Sequence, residues 1–340
     1  MNCFQKIDDK KEWQRLLGKV LFKTFFHTLD WEEFLEHNFQ WLKFERYLYK
    51  DKIVLSLARY KVFGKEKLIS HPFCEYGGPL PLKDGINGRE FKKHLFEYFK
   101  MPFKISIHPE IPKYFQNFGL KEPDSTRDTY FIENIHCRDL KEIYSSFRKT
   151  LRHSIKKAES QNTLLKRCEN EEELRGFYNL YLKSSKRHKT IPYPFSFFKY
   201  FLNNANTTND NSNGANIVLA KFKNKIIAGS VFLFYGKYIH YFLNASDEKF
   251  KEKRANYLIL WNQIKEHIGK GYKIFDFGGT GRGSSLEIFK KGWGTRRYPI
   301  FELKNFSEGK LGKSKLRNII NLVPSFLLEK FSVPLLRYKL

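Results

Sequence analysis

The chain has 340 residues, and its 62 lysines and arginines outnumber 36 acidic residues to give a formal net charge of +26. That length suits two domains that each bury a core. The positive excess is spread along the chain and points to polyanionic partners (nucleic acid, anionic lipid headgroups or phosphorylated substrates) without choosing among them. Cys3, Cys74, Cys137 and Cys168 lie far apart, which argues against a disulfide framework or a zinc site and for a reducing cytoplasm. The opening residues are too charged for a signal peptide, and no apolar run approaches the roughly 20 residues of a membrane span.

In chain order, residues 10–37 predict two short helices around an aromatic segment at 20–26. Residues 40–49 and 53–62 alternate on either side of Lys50-Asp51-Lys52, a hairpin signature, and 67–71 predicts a third strand. Prolines and a glycine pair break the pattern over 72–82. A helix over 88–99, a strand over 104–108 and an extended stretch near 129–133 complete a mixed α/β domain. Residues 146–158 predict a helix with Leu151, Ile155 and Ala158 on one face and Arg148, Arg152 and Lys156 as a basic stripe on another. The stripe can hold phosphates or be a solvated face.

The second half repeats the plan. A strand over 163–167, helices over 171–186 and 194–202, and a mobile asparagine-rich loop over 203–214 precede an antiparallel meander at 217–222, 226–234 and 238–244. A helix over 256–268 leads to the stretch that organises the chain, residues 271–299. There, 273–277 reads as a buried strand, the glycine run 278–283 ends it, and Ser284 or Ser285 caps a helix reaching Lys290, with extension again over 298–303. A lysine at that helix end, beside a glycine-rich bend, can place a cation near an oxyanion or phosphate; it can equally complement the helix dipole. The basic, apolar tail from residue 310 is expected to pack back on the first domain, with interfacial membrane contact as the alternative.

The chain has no phosphate-binding P-loop, no His-Glu-x-x-His and no Gly-x-Ser-x-Gly elbow, and its histidines show no metal-ligand spacing. Neither a cofactor nor a metal is expected. Asp276-Phe277-Gly278 spells a kinase triplet without its partner motifs and carries no weight.

Four islands together resemble the Fem family of peptidoglycan interpeptide-bridge aminoacyltransferases and the FemAB-like proteins of surface-glycan systems: residues 70–79 (SHPFCEYGGP), 151–158 (LRHSIKKA), 187–194 (RHKTIPYP), and Asp276-Phe-Gly-Gly279 with 289–294 (FKKGWG). They keep the family's order from about residue 20 to 305. The resemblance implies two tandem GNAT-like domains, 1–137 and 138–308, followed by the tail 309–340. It implies an acyltransferase that moves an aminoacyl group from aminoacyl-tRNA, or an acyl group from acyl-CoA, to an amine of a phosphorylated or lipid-linked envelope precursor in the cytoplasm. Peripheral contact with an anionic membrane is a further expected partnership.

The lysine of the Phe-Lys pair carries over to Lys290 at the reaction centre, and the arginine of the basic helix to Arg152 on the acceptor's phosphates. Tyr193, Arg187, Phe289, Tyr76 and Arg254 are the other expected substrate contacts. Asp276 is the candidate catalytic carboxylate, with Asp247 and Glu287 as alternatives for the general base. Two departures from the family stand out. No long helical arm interrupts the second domain, and the segment 251–256 (KEKRAN) lacks the glycines of a coenzyme A loop, which argues against that donor. Outside the aminoacyl-transfer reading stand an acyl-CoA-dependent N-acyltransferase and a noncatalytic polyanion-binding protein.

Overall fold

The computed structural model describes residues 3–120, 127–205, 213–307, 323–324, 328–338 and 340. Most of the loop predicted to be mobile and the tail segment 310–322 lie outside those residues. The chain divides into two compact units, Met1–Asp128 with Tyr298–Gly309 and Leu340, and Thr129–Arg297 with Lys310–Lys339.

In the first unit, β1 (Phe4–Lys6) is followed by helices α1 (Lys10–Leu17) and α2 (Leu29–Asn38). Asp9 caps α1 by accepting the amides of Lys11 and Glu12, and the helix buries Trp13, Leu16 and Leu17 at helical spacing. An antiparallel meander follows, β2 (Leu42–Tyr49), β3 (Ile53–Val62) and β4 (Lys65–Ile69). The β2–β3 turn closes with Lys52 N donating to Tyr49 O at 2.8 Å, and Lys50 and Asp51 adopt positive φ as a primed turn requires. The short strand β5 (Leu80–Pro81) pairs with β3, and β6 (Ile86–Asn87) leads into α3 (Gly88–Tyr98). Strand β7 (Phe103–Ile107) then lies parallel to β4, and β8 (Phe115–Gln116) pairs with β6.

The second unit opens with β9 (Arg127–Glu133, from Thr129) and helices α4 (Leu140–Ser146) and α5 (Lys149–Glu159). It continues through β10 (Leu164–Arg167), α6 (Glu171–Arg187), α7 (Phe195–Asn203), β11 (Gly214–Phe222), β12 (Lys225–Tyr235), β13 (Tyr238–Ser246), α8 (Ala255–His267), β14 (Ile274–Gly281) and α9 (Ser285–Lys291). The strand order is β9-β14-β13-β12-β11-β10. Strand β15 (Arg296–Lys304) then returns to the first unit, where Phe301 to Lys304 pair antiparallel with Ile107 to Lys104 of β7.

Both units therefore run strand, two helices, three-stranded meander, crossover helix, parallel strand, and this duplication was legible in the sequence. Their boundaries were not. Residues 129–137, predicted in the first domain, belong to the second unit, and the segment from Tyr298, predicted in the second domain, belongs to the first. Strand pairing, rather than position along the chain, decides membership.

Two further expectations change. Strand β14 runs on through the glycines to Gly281 instead of stopping at residue 277; side-chain bonds to Gly278 and Gly279, described below, hold that segment extended. The tail's described helix, α10 (Leu328–Leu336), lies in the second unit rather than the first, and its Glu329 pairs with Arg175 at 3.1 Å. The second unit's core gathers Tyr130 and Ile132 of β9, Leu151 and Ile155 of α5, Ile259 and Ile264 of α8, Phe275 and Phe277 of β14, and Trp293.

Candidate active site

The site begins with an interrupted strand pair. Strands β13 and β14 are parallel and in register only at Tyr238↔Ile274, Ile239↔Phe275 and His240↔Asp276, although β13 continues to Ser246 and β14 to Gly281. Beyond His240 and Asp276 the two backbones stop exchanging hydrogen bonds, so polar main-chain groups face the gap between them. Side chains alternate along each strand. Ile239, Tyr241, Phe275 and Phe277 enter the core with α8, which puts His240 and Asp276 on the opposite face, where Phe242 meets Tyr193 and Phe201 of the α6–α7 side.

At the point of divergence His240 Nδ1 lies 2.8 Å from Asp276 Oδ2. The other oxygen, Oδ1, accepts the Thr129 hydroxyl at 2.6 Å and the Gly278 amide at 2.7 Å. Thr129, Asp276 and His240 are all buried. Lys290, 3% exposed, donates from Nζ to Gly278 O at 2.7 Å and Gly279 O at 3.1 Å. A buried ammonium is costly unless its protons are satisfied, and these two carbonyls satisfy part of that need.

Helix α9 holds Lys290 in place. Ser284 caps it by accepting the Glu287 amide, and Glu287 accepts the Tyr130 hydroxyl at 3.0 Å and the Gly283 amide at 2.5 Å while pairing with Lys291 at 2.6 Å. The Lys291 ammonium, then the Gly283 amide and the Tyr130 hydroxyl, hold the Glu287 carboxyl down at about 2. Those partners tie Glu287 to the start of α9 and to β9. Asp247 instead caps the turn at residue 248, accepting from Lys249 N, and pairs with Lys225 at 3.3 Å. Burial opposes its ionisation, yet the Lys249 amide and Lys225 hold its carboxyl below the usual range.

A pocket of about 290 Å³ opens against α9 and is lined by Arg148, Thr150, Ser154, Tyr257, Ile288 and Phe289 among others. Phe289 thus faces a cavity. Arg152 does not: its guanidinium donates to the carbonyls of Ser145, at 2.9 Å, and Phe147, where α4 ends. The stripe residue that reaches the pocket is Arg148, one turn earlier.

Tyr193 is buried, stacked on Phe197 with centroids 4.6 Å apart, and its backbone is tied to Tyr178 and Tyr181. Arg187 is on the surface and pairs with Glu248 at 3.2 Å. Arg254 is the left-handed N-cap of α8. Tyr76 belongs to the first unit, buried against His108. Lys290 and Asp276 are therefore brought together, while Arg152 and Arg187 are engaged elsewhere. His240 and Thr129 were missed, because nothing in the sequence marks either as a partner of Asp276. The one available signal was the alternation Tyr238-His240-Phe242, which sets His240 on the face opposite the core. Among the described residues no group of three or more His, Cys, Asp or Glu side chains is placed to hold a metal ion.

Residues 145–291 match the model of the acetyltransferase (GNAT) domain. The whole chain superposes on the crystal structure of FemX with a TM-score of 0.62 at 16% identity, covering 93% of this chain and 100% of that one. It superposes on L-PGS from Bacillus licheniformis with a TM-score of 0.53 at 12% identity, covering 93% and 98%. The C-terminal domain of a putative lysylphosphatidylglycerol synthetase from Agrobacterium fabrum gives 0.52 at 11% identity, covering 96% of both chains. No curated protein matches. Residues 145–291 thus carry the match to a GNAT acetyltransferase domain, and the chain shares the fold of FemX over 93% of its length.

Proposed function

We propose that this protein transfers an aminoacyl group from aminoacyl-tRNA to an amine of a phosphorylated or lipid-linked cell-envelope precursor, the Fem-type reaction. The observation that carries this reading is the parting of β13 and β14 at a buried His240–Asp276 pair, with Lys290 bound to the glycine segment that follows. Attack of an amine on an ester carbonyl builds a tetrahedral oxyanion. A fixed ammonium in a water-poor gap stabilises that state by a few kcal/mol, since its orientation is prepared in advance. The basic surface supplies what an anionic donor and acceptor need. The fold likeness to lysylphosphatidylglycerol synthetases supports a lipid-linked acceptor. No described helix is long and apolar enough to cross a membrane, so such an acceptor would be met by peripheral contact at the inner membrane face.

One observation favours an acyl-CoA donor as a second reading. Helix α8 is 13 residues long and begins without a side-chain cap, behind Arg254 at φ 55°; the Tyr257 and Leu258 amides donate to Arg254 O, which leaves the amides of Ala255 and Asn256 to meet a pyrophosphate even though 251–256 lacks glycine.

The test is transfer of radiolabel by the purified protein into an envelope-precursor extract, from charged total tRNA or from acetyl-CoA, with Lys290→Ala as control. Label from charged tRNA that the variant fails to transfer supports the first reading. Label from acetyl-CoA alone moves the protein to the second. None from either removes both and leaves polyanion binding, which would weaken steeply with salt.

A further inference from the structure

We propose that His240 is the general base of the transfer, oriented by Asp276; this rests on the reading of the protein as a transferase to an amine. Asp276 Oδ1 faces two donors, the Thr129 hydroxyl and the Gly278 amide, so the carboxylate turns Oδ2 to His240 Nδ1 at 2.8 Å. A carboxylate accepts and does not donate, so Nδ1 carries the hydrogen and Nε2 is left as the basic nitrogen. The same logic orients histidines in hydrolase triads and metal sites, where the second partner fixes the tautomer.

The placement fits the role. His240 and Asp276 form the last in-register pair before β13 and β14 separate, and Gly278 connects Asp276 to the Lys290 ammonium through its amide on one side and its carbonyl on the other. Base and cation are thereby anchored to one short stretch of β14. Two residues along β13 from His240, Phe242 lies 6.0 Å from its ring and 6.2 Å from Tyr193, so His240 shares its face with an aromatic wall suited to an acyl or peptide substituent.

In the step, the acceptor nitrogen bonds to the acyl carbon and Nε2 takes the proton that nitrogen loses. As the tetrahedral intermediate collapses, the bond from that carbon to the donor's oxygen or sulfur breaks. The departing atom receives the proton from Nε2, and the site returns to its starting charge without any co-reactant.

The experiment pairs kinetics with a measurement that needs no turnover. His240→Asn keeps an amide donor where Nδ1 stands, preserving the bond to Asp276, but has no Nε2. It should lower kcat by about 10²- to 10⁴-fold, the usual contribution of a general base, with KM unchanged. Long-range ¹H–¹⁵N correlation on the wild-type protein should find Nδ1 protonated and Nε2 bare, and Asp276→Asn should abolish that preference. A protonated Nε2 in the wild type, or His240→Asn turning over at the wild-type rate, overturns the proposal. If His240→Asn fails to fold, the tautomer decides. A wild-type protein that transfers from neither donor overturns the transferase reading as well, whereas wild-type transfer with an unimpaired variant overturns the base alone.

Discussion

Asp276 and Lys290 are tied to opposite sides of one residue: Gly278 donates its amide to Asp276 Oδ1 at 2.7 Å and accepts Lys290 Nζ on its carbonyl at 2.7 Å. Gly278 sits at φ 72°, in the left-handed region where a side chain is strained. Lys290 and Asp276, the expected catalytic pair, are thus positioned through a residue whose backbone conformation favours glycine.

Gly278→Ala should lose about 1–2 kcal/mol from the left-handed conformation alone and should also lose transfer activity, because both anchors shift. Gly236→Ala is the control: that glycine, at φ 53° with open space around it, should lose comparable stability and keep its activity. Urea melts and transfer assays on the two variants separate strain from site geometry, and equal activity losses would contradict the link.

Lys290→Ala should cost stability as well as turnover. Its ammonium is buried on two carbonyls, and removing a charged hydrogen-bond donor from such a site costs roughly 1–3 kcal/mol. A variant as stable as the wild type in denaturant would mean that the carbonyls of Gly278 and Gly279 find other partners.

Arg148 and Arg152 should separate binding from stability. Arg148→Ala, at the pocket, should weaken binding of a phosphorylated substrate by roughly tenfold, about 1.4 kcal/mol, with little change in Tm. Arg152→Ala, which uncaps the carbonyls at the end of α4, should cost about 1 kcal/mol of stability and leave that binding intact. The reverse pattern in titration calorimetry and melting would restore Arg152 to the role its resemblance implies.

Acid should weaken the fold partly through Glu287, whose carboxyl is held at about 2 by Lys291, the Gly283 amide and Tyr130. With the folded value below the unfolded one, near 4.3, its contribution is fully present above pH ~4.5 and is lost as pH falls toward 2. Glu287→Gln should therefore flatten the acid limb of stability over that interval. Denaturant melts at several pH values below 5 check this, and an unchanged acid limb would show that other carboxylates carry it.

Much of this was legible because it is local. The β2–β3 hairpin declares itself by alternation around Lys50-Asp51, α9 by the Ser284 cap and the glycines after Lys291, and the duplicated plan by the recurrence of meander, helix and strand. Lys290 and Asp276 stood out as charged groups flanking a glycine run that regular structure accommodates poorly. Arg152 shows where such reading ends: its spacing on α5 is that of a phosphate-binding stripe, yet the last carbonyls of α4 lie within reach and take its donors.

The period, length and order of the elements could be read from the residues alone, since they follow from side-chain alternation, capping and turn conformations acting over a few positions. The pairing of β15 in the first unit, the meeting of His240, Asp276 and Thr129 across 36 to 147 residues of chain, and the anchoring of Lys290 on backbone carbonyls belong to the tertiary structure. Those choices depend on which strands pair and which buried polar groups must satisfy one another, and a buried donor finds its acceptor by proximity in space.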